Sequence, residues 1–212
     1  MKTLISVIVA FLMALAGLFV FHKDNAEKTQ SKFDYSSCTA VISFETPNGI
    51  KSIGYACIYA ENSQSLQLLT AAHVVNDPKQ DYFVTFHNGT TVKVSAVNIL
   101  QKDADLALIE VPRKKLQNGK EYQIPQFDKL QNADAGKSLY VWGDEYENNP
   151  ARMVDRVLEK NGVTEVYFNG SVAKGRSGSP VFLKDSNICV GVISGFFTKD
   201  SGVGENTVCL FL

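Results

Sequence analysis

Neither sign of charge is in real excess: 21 basic residues meet 22 acidic ones, for a formal net charge of -1. A nucleic-acid partner usually calls for a strong basic excess or stripe, so none is expected. The four cysteines, Cys38, Cys57, Cys189 and Cys209, form no C-x-x-C pair and no zinc-ribbon spacing, and no metal or cofactor is expected. Internal repeats and low-complexity tracts are missing, which excludes a solenoid. Histidine is scarce. With three in 212 residues, any chemistry that needs an imidazole must draw on His22, His73 or His87.

Long apolar runs are equally rare, and the one present lies at residues 4–21, after a single lysine and before a polar stretch. Two readings fit it. Ala14-Leu15-Ala16 offers the small-residue site of a cleaved secretory signal. The run continues past that point, however, and is just long enough to cross a bilayer as an uncleaved anchor. No cysteine follows closely enough to suggest a lipoprotein. Either way residues 1–22 are a signal or anchor, expected to form an apolar helix ahead of the β structure, and 23–34 a linker. The remainder is expected to be exported, periplasmic or extracellular, and secreted or held to the membrane through residues 4–21.

Beyond the linker the chain reads as all-β. Asn-Gly, the strongest short-range hairpin signal, occurs at positions 48, 88, 118, 161 and 169. Between these pairs lie short β-rich runs such as "CTAVISF", "YFVTFH", "VTEVYFN" and "TVCLFL". Strands at this spacing imply a sandwich or barrel. The polar, proline-bearing stretch 112–137 divides them into units at 35–111 and 138–212, each with about six candidate strands, enough for a small closed barrel. Only "AAHVV" and the segment near Lys114 look able to form a helical turn. Asn88 and Asn169 also open glycosylation sequons, but both sit in hairpin turns and are read as turn residues. An even cysteine count in an exported chain suggests disulfides, and hairpin pairing would join Cys38 to Cys57 and Cys189 to Cys209. Four buried free thiols are the alternative.

The stretch "GRSGSP", residues 175–180, surrounds a serine with two glycines and a proline. A tight turn explains it simply. It also suits a backbone bent to present the Ser177 hydroxyl beside free amides. A serine nucleophile needs a base, and the base needs a group to fix its tautomer. His22 belongs to the tether and His87 to a hairpin tip. His73, in "LLTAAHVV", follows two small alanines that let neighbouring backbone pack closely. "DADLALIEV" puts Asp103 and Asp105 before an apolar strand, where a buried charge needs a partner.

Taken in order, "TAAHVV", "DADLALIEV" and "GRSGSPVF" resemble the trypsin-like serine peptidases, most closely the bacterial HtrA-like and staphylococcal glutamyl-endopeptidase-like branch. The likeness covers most of the chain from about Cys38 to Leu212. It implies a pair of six-stranded antiparallel β-barrels with the active site in the cleft between them. It also implies a peptide or protein substrate, and a triad of His73, Asp105 and Ser177, leaving Asp103 a surface residue. The backbone N–H groups of Gly175 and Ser177 would form the oxyanion hole. Ser171 would lie at the pocket floor. Ser194 and Gly195 would pair with the substrate backbone, and Phe196 would narrow the pocket, favouring a small or medium uncharged P1 residue. Arg176 departs from the digestive members, which carry an aspartate that receives a new amino terminus, so activation by such cleavage is not implied. A catalytically silent peptide-binding domain on the same fold is the competing reading.

Overall fold

The computed structural model describes residues 33–101, 104–116, 122–143, 152–170, 172–198 and 205–211, without the side chains of 101, 196–198 and 205–210. The apolar run at 4–21, and with it the expected N-terminal helix, lies outside the described residues. Residues Met1–Phe33 group as one unit and Asp34–Leu212 as another, and all elements below belong to the second.

The first sheet contains β1 (Thr39–Thr46), β2 (Gly49–Glu61), β3 (Ser65–Thr70), β4 (Tyr82–Phe86), β5 (Thr91–Lys93), β6 (Ala96–Gln101) and β7 (Ala104–Pro112). Its order is β5-β4-β1-β2-β3-β7-β6. The count is seven where about six were expected, because one stretch of chain serves twice. From β5, paired with β4, the backbone continues through Val94, whose N–H donates to Tyr82 O at 2.9 Å. Ser95 N–H then donates to Glu110 O at 2.7 Å, and β6 pairs with β7. The two ends of the sheet are therefore one bent strand, and the sheet curls.

The second sheet contains β8 (Gln126–Phe127), β9 (Ser138–Val141), β10 (Arg152–Lys160), β11 (Val163–Asn169), β12 (Pro180–Leu183), β13 (Ile188–Thr198) and β14 (Glu205–Phe211). Here β12 pairs with both β9 and β13, so six strands form a ring of pairings, and β8 adds to it in parallel beside β13. The stretch read as a connector thus contributes a strand. β10 and β11 are joined by Asn161-Gly162, both with positive φ (53° and 79°), as a type I′ hairpin turn requires. Helical structure among the described residues is limited to four short 3-10 turns, at Tyr35–Cys38, Ala72–Val74, Arg113–Lys115 and Asn132–Asp134. Two of these fall on the segments read as able to turn.

Strand alternation fills both sheets. In β4 Tyr82, Val84 and Phe86 point inward, as period-two patterning dictates. They join Ile42, Ile58, Leu66, Leu68 and Ile109 in one core, while Val166, Phe168, Val181 and Val190 anchor the other. Each such side chain contributes about 1.5–3 kcal/mol by burial.

The expected disulfides are not formed. Cys38, Cys57 and Cys189 are free and buried, and the neighbour of Cys57 Sγ is Cys189 Sγ, 3.8 Å away. Hairpin pairing does put Thr39 opposite Cys57, but Cys57 Sγ lies beside Cys189 on β13 of the other sheet, and Cys38 stays a free thiol. Cys209 stands in register with Ile193, not with Cys189.

Candidate active site

His73 is the middle residue of the 3-10 turn that follows β3. Val74 N–H donates to Ala71 O (3.1 Å) and Val75 N–H to Ala72 O (3.0 Å), closing the turn. Ala71, Ala72, Val74 and Val75 are all buried, so the imidazole is the side chain the turn directs outward, 46% exposed. Small residues were needed here because β7 packs alongside, with Thr70 opposite Ala107. That register brings the start of β7 to the histidine. Asp105, expected just before the strand, is its second residue.

Asp105 grips His73 twice. Its Oδ2 lies 2.7 Å from Nδ1, and its Oδ1 accepts the His73 backbone N–H at 2.8 Å. A third donor, Ser194 Oγ, reaches Oδ2 at 2.5 Å from the second sheet. An ionised carboxylate only accepts, so Nδ1 carries the proton and Nε2 is left as a base. The hydrogen bond to Asp105 raises the imidazole pKa above its ordinary value. Burial pushes the Asp105 carboxyl up, but the bonds from the His73 ring, the Ser194 hydroxyl and the His73 amide outweigh it and hold it below the usual carboxylate range.

The Ser194 hydroxyl is the contact that sequence reasoning missed, having given this residue only a backbone role. In β13 Ile193 pairs with Cys209 and Gly195 with Val208, so Ser194 is an unpaired extra residue, a bulge that re-aims its side chain. A polar residue inside the apolar run "ICVGVISGFF" was the available signal.

Ser177 lies in a loop stitched to both sheets. Its carbonyl accepts from Tyr55 N–H of β2 at 2.8 Å, while Gly178 N–H donates to Ile193 O at 2.7 Å. Gly178 has φ +81°, and a Cβ there would fall 1.8 Å from Tyr55 O, so only glycine fits. Gly54 is where this loop meets the histidine turn: a Cβ on it would lie 2.8 Å from Ser177 O and 2.9 Å from Val74 Cγ1. Among the described residues the N–H groups of Gly175 and Ser177 have no acceptor, and Ser177 Oγ makes no hydrogen bond to His73. Ser171, Asp103 and the Phe196 side chain lie outside the described residues. A cavity of about 710 Å³ adjoins His73 and Asp105, walled by Val75, Tyr82, Val97 and Ile99. Among the described residues its lining comes from the first half of the chain, strands and loops together, and Ser177 is not part of it.

An imidazole fixed by a carboxylate, on the same unit as a serine loop with two free amides, is the layout of the trypsin-like peptidases. The sequence over residues 56–192 matches the trypsin-like peptidase domain, and the chain belongs to that family. Among solved structures it is similar to HL collagenase, with 17% identity, a TM-score of 0.59 and coverage of 82% of this chain and 87% of that one. It is also similar to the HtrA-type protease AlgW with a decapeptide, at 14% identity and TM-score 0.57, with coverage of 84% and 64% respectively. A scabies mite inactivated protease paralogue, S-I1, aligns at 17% identity and TM-score 0.56, covering 84% of this chain and 92% of its own. At such identities the likeness is one of fold. No curated protein matches the sequence.

Proposed function

We propose that the protein is an exported serine endopeptidase that cleaves peptide bonds through an acyl-enzyme on Ser177. The observation that carries this reading is the double grip of Asp105 on His73, which leaves Nε2 free to act as a base. In the proposed cycle Ser177 Oγ bonds to the substrate carbonyl carbon and its proton passes to His73 Nε2. The carbonyl oxygen becomes an oxyanion, received by the N–H groups of Gly175 and Ser177; such donors are worth about 2.7–4 kcal/mol each. The C–N bond then breaks as Nε2 returns the proton to the leaving amine, and water repeats the sequence to release the acid. Asp105 stays ionised throughout and stabilises the imidazolium.

In this reading the two curled sheets are two barrels, and the peptide lies in the cleft where Tyr55, Ser177 and Ser194 bring them together. The substrate is an extended peptide or protein segment, and the domain works outside the cytosol, released or tethered through residues 4–21. A silent peptide-binding domain is the second reading, favoured by the missing Ser177–His73 hydrogen bond and by the inactivated paralogue of similar fold. Catalytic hydrogen bonds in ligand-free sites are often long, so the first reading is preferred.

Labelling by an alkyl fluorophosphonate separates the two. The wild-type chain should be modified at Ser177, and Ser177→Ala and His73→Ala should each abolish labelling while remaining folded. A folded wild type that resists the probe would support the peptide-binding reading.

A further inference from the structure

Arg176 sits between the two residues whose amides the proposed oxyanion site uses, yet its side chain does not extend into solvent. Its Nη1 donates to Tyr55 Oη at 3.0 Å, and its Cζ stands 5.3 Å from the centre of the Tyr55 ring. On another side it packs against the backbone of Gly143, where an added Cβ would fall 2.4 Å from Nη1. Trp142 meets the Tyr55 ring edge-on, at 5.5 Å between centroids. The guanidinium is thus held by a hydrogen bond and an aromatic face, and lies beside the bare backbone of Gly143.

Tyr55 in turn touches three consecutive residues of the serine loop. Its hydroxyl takes the bond from Arg176, its N–H donates to Ser177 O, and its carbonyl fills the space beside Gly178. Upstream the situation is the opposite. Gly175 is exposed, has φ +85° and has nothing within 4 Å of the position a Cβ would occupy. Nothing crowds the place of a side chain there, and glycine alone does not select one peptide orientation. Coming from the Gly175 side, Arg176 is the first residue of the loop whose side chain is anchored.

We propose that Arg176 is a positioning residue: docked on Tyr55, it fixes the chain on the Ser177 side of Gly175 so that both amides converge on one oxygen. This rests on the serine-peptidase reading. A planar guanidinium can stack on a ring and donate in its plane at once, which an ammonium cannot. Lysine would keep the positive charge near the oxyanion but lose the dock, so it separates position from charge.

The test measures fluorophosphonate inactivation, resolved into a limiting rate and an apparent affinity, alongside melting temperature. The chains compared are wild type, Arg176→Gln, Arg176→Lys, Tyr55→Phe and the Arg176→Gln/Tyr55→Phe double variant. A misaligned amide pair should lower the limiting rate of Arg176→Gln about 10–100-fold, with affinity changed less than about threefold. Arg176→Lys should recover little. Tyr55→Phe, which removes one oxygen, should cost about 3–10-fold. The double variant should be no slower than Arg176→Gln, because both act on one contact. Wild-type rates in Arg176→Gln, full recovery by lysine, or losses that multiply in the double variant would each overturn the proposal. If Arg176→Gln fails to fold, Tyr55→Phe decides: an unchanged rate refutes it. Absence of labelling in the wild type would instead overturn the peptidase reading itself.

Discussion

Replacing Gly178 by alanine should cost far more than the same change at Gly175, three residues earlier in the same loop. Both glycines have φ above +80°, so both replacements place an L-residue in the left-handed region, at about 1–2 kcal/mol. They part company in space. At Gly178 the methyl would land 1.8 Å from Tyr55 O and 2.5 Å from Thr70 Oγ1, whereas at Gly175 nothing lies within 4 Å. Forcing the methyl into filled space adds about 1–3 kcal/mol. Displacing Gly178 also strains its 2.7 Å bond to Ile193 O, worth about 1 kcal/mol. The sum is roughly 3–6 kcal/mol, a large share of the ~5–15 kcal/mol that holds a domain together. For a chain of this size that is a fall in melting temperature of roughly 10–20 °C, against a few degrees for Gly175→Ala. Circular dichroism melts of the two variants beside wild type make the comparison. Equal losses, or a Gly178→Ala melt within a few degrees of wild type, would refute the close-approach reasoning.

Because neutral imidazole is the base and its pKa is raised, the inactivation rate should climb with pH through a midpoint above about 6.5. Asp105→Asn removes the partner that raises it, so the midpoint should fall and the rate drop about 10⁴-fold; an unmoved midpoint would uncouple the two residues. Ser194→Ala, losing one donor to Asp105, should slow inactivation about tenfold with little change in melting temperature, and an unchanged rate would make that hydroxyl idle. Burial pushes the Cys38 thiol up to about 12 and Cys57 well above its ordinary value. Iodoacetamide should therefore spare both in the folded chain and modify both in denaturant, as counted by mass spectrometry; rapid native alkylation of Cys57 would contradict its burial.

Much of the candidate site is legible in the sequence because its parts are local. The small residues before His73, the carboxylate opening an apolar strand and the paired glycines around Ser177 are each read from neighbours a few positions away. The all-β character followed in the same way from Asn-Gly pairs and alternation. What escaped was whatever joins the two sheets. Arg176 to Tyr55, Ser194 to Asp105 and Cys57 to Cys189 span 121, 89 and 132 positions, and no periodicity encodes such pairings. The cysteines show the cost: reasoning from hairpins paired each with its chain neighbour, while the fold set Cys57 against a strand from the far half. Strand count slipped for a related reason. Nothing in "TVKVSAVNIL" signals that Val94 and Ser95 turn one strand from one neighbour to another.

That bend also bears on how the molecule behaves in a crowd. A sheet that simply stops offers a ladder of vacant amides and carbonyls, which invites a strand from the next molecule and, in time, a precipitate. In the first sheet Val94 and Ser95 spend their amides on Tyr82 and Glu110 of the same chain, so what would have been two margins becomes a seam. A colliding copy finds those two amides already engaged at the bend. A protein whose proposed work is to take hold of extended strands in a cleft would thereby refuse them along this seam.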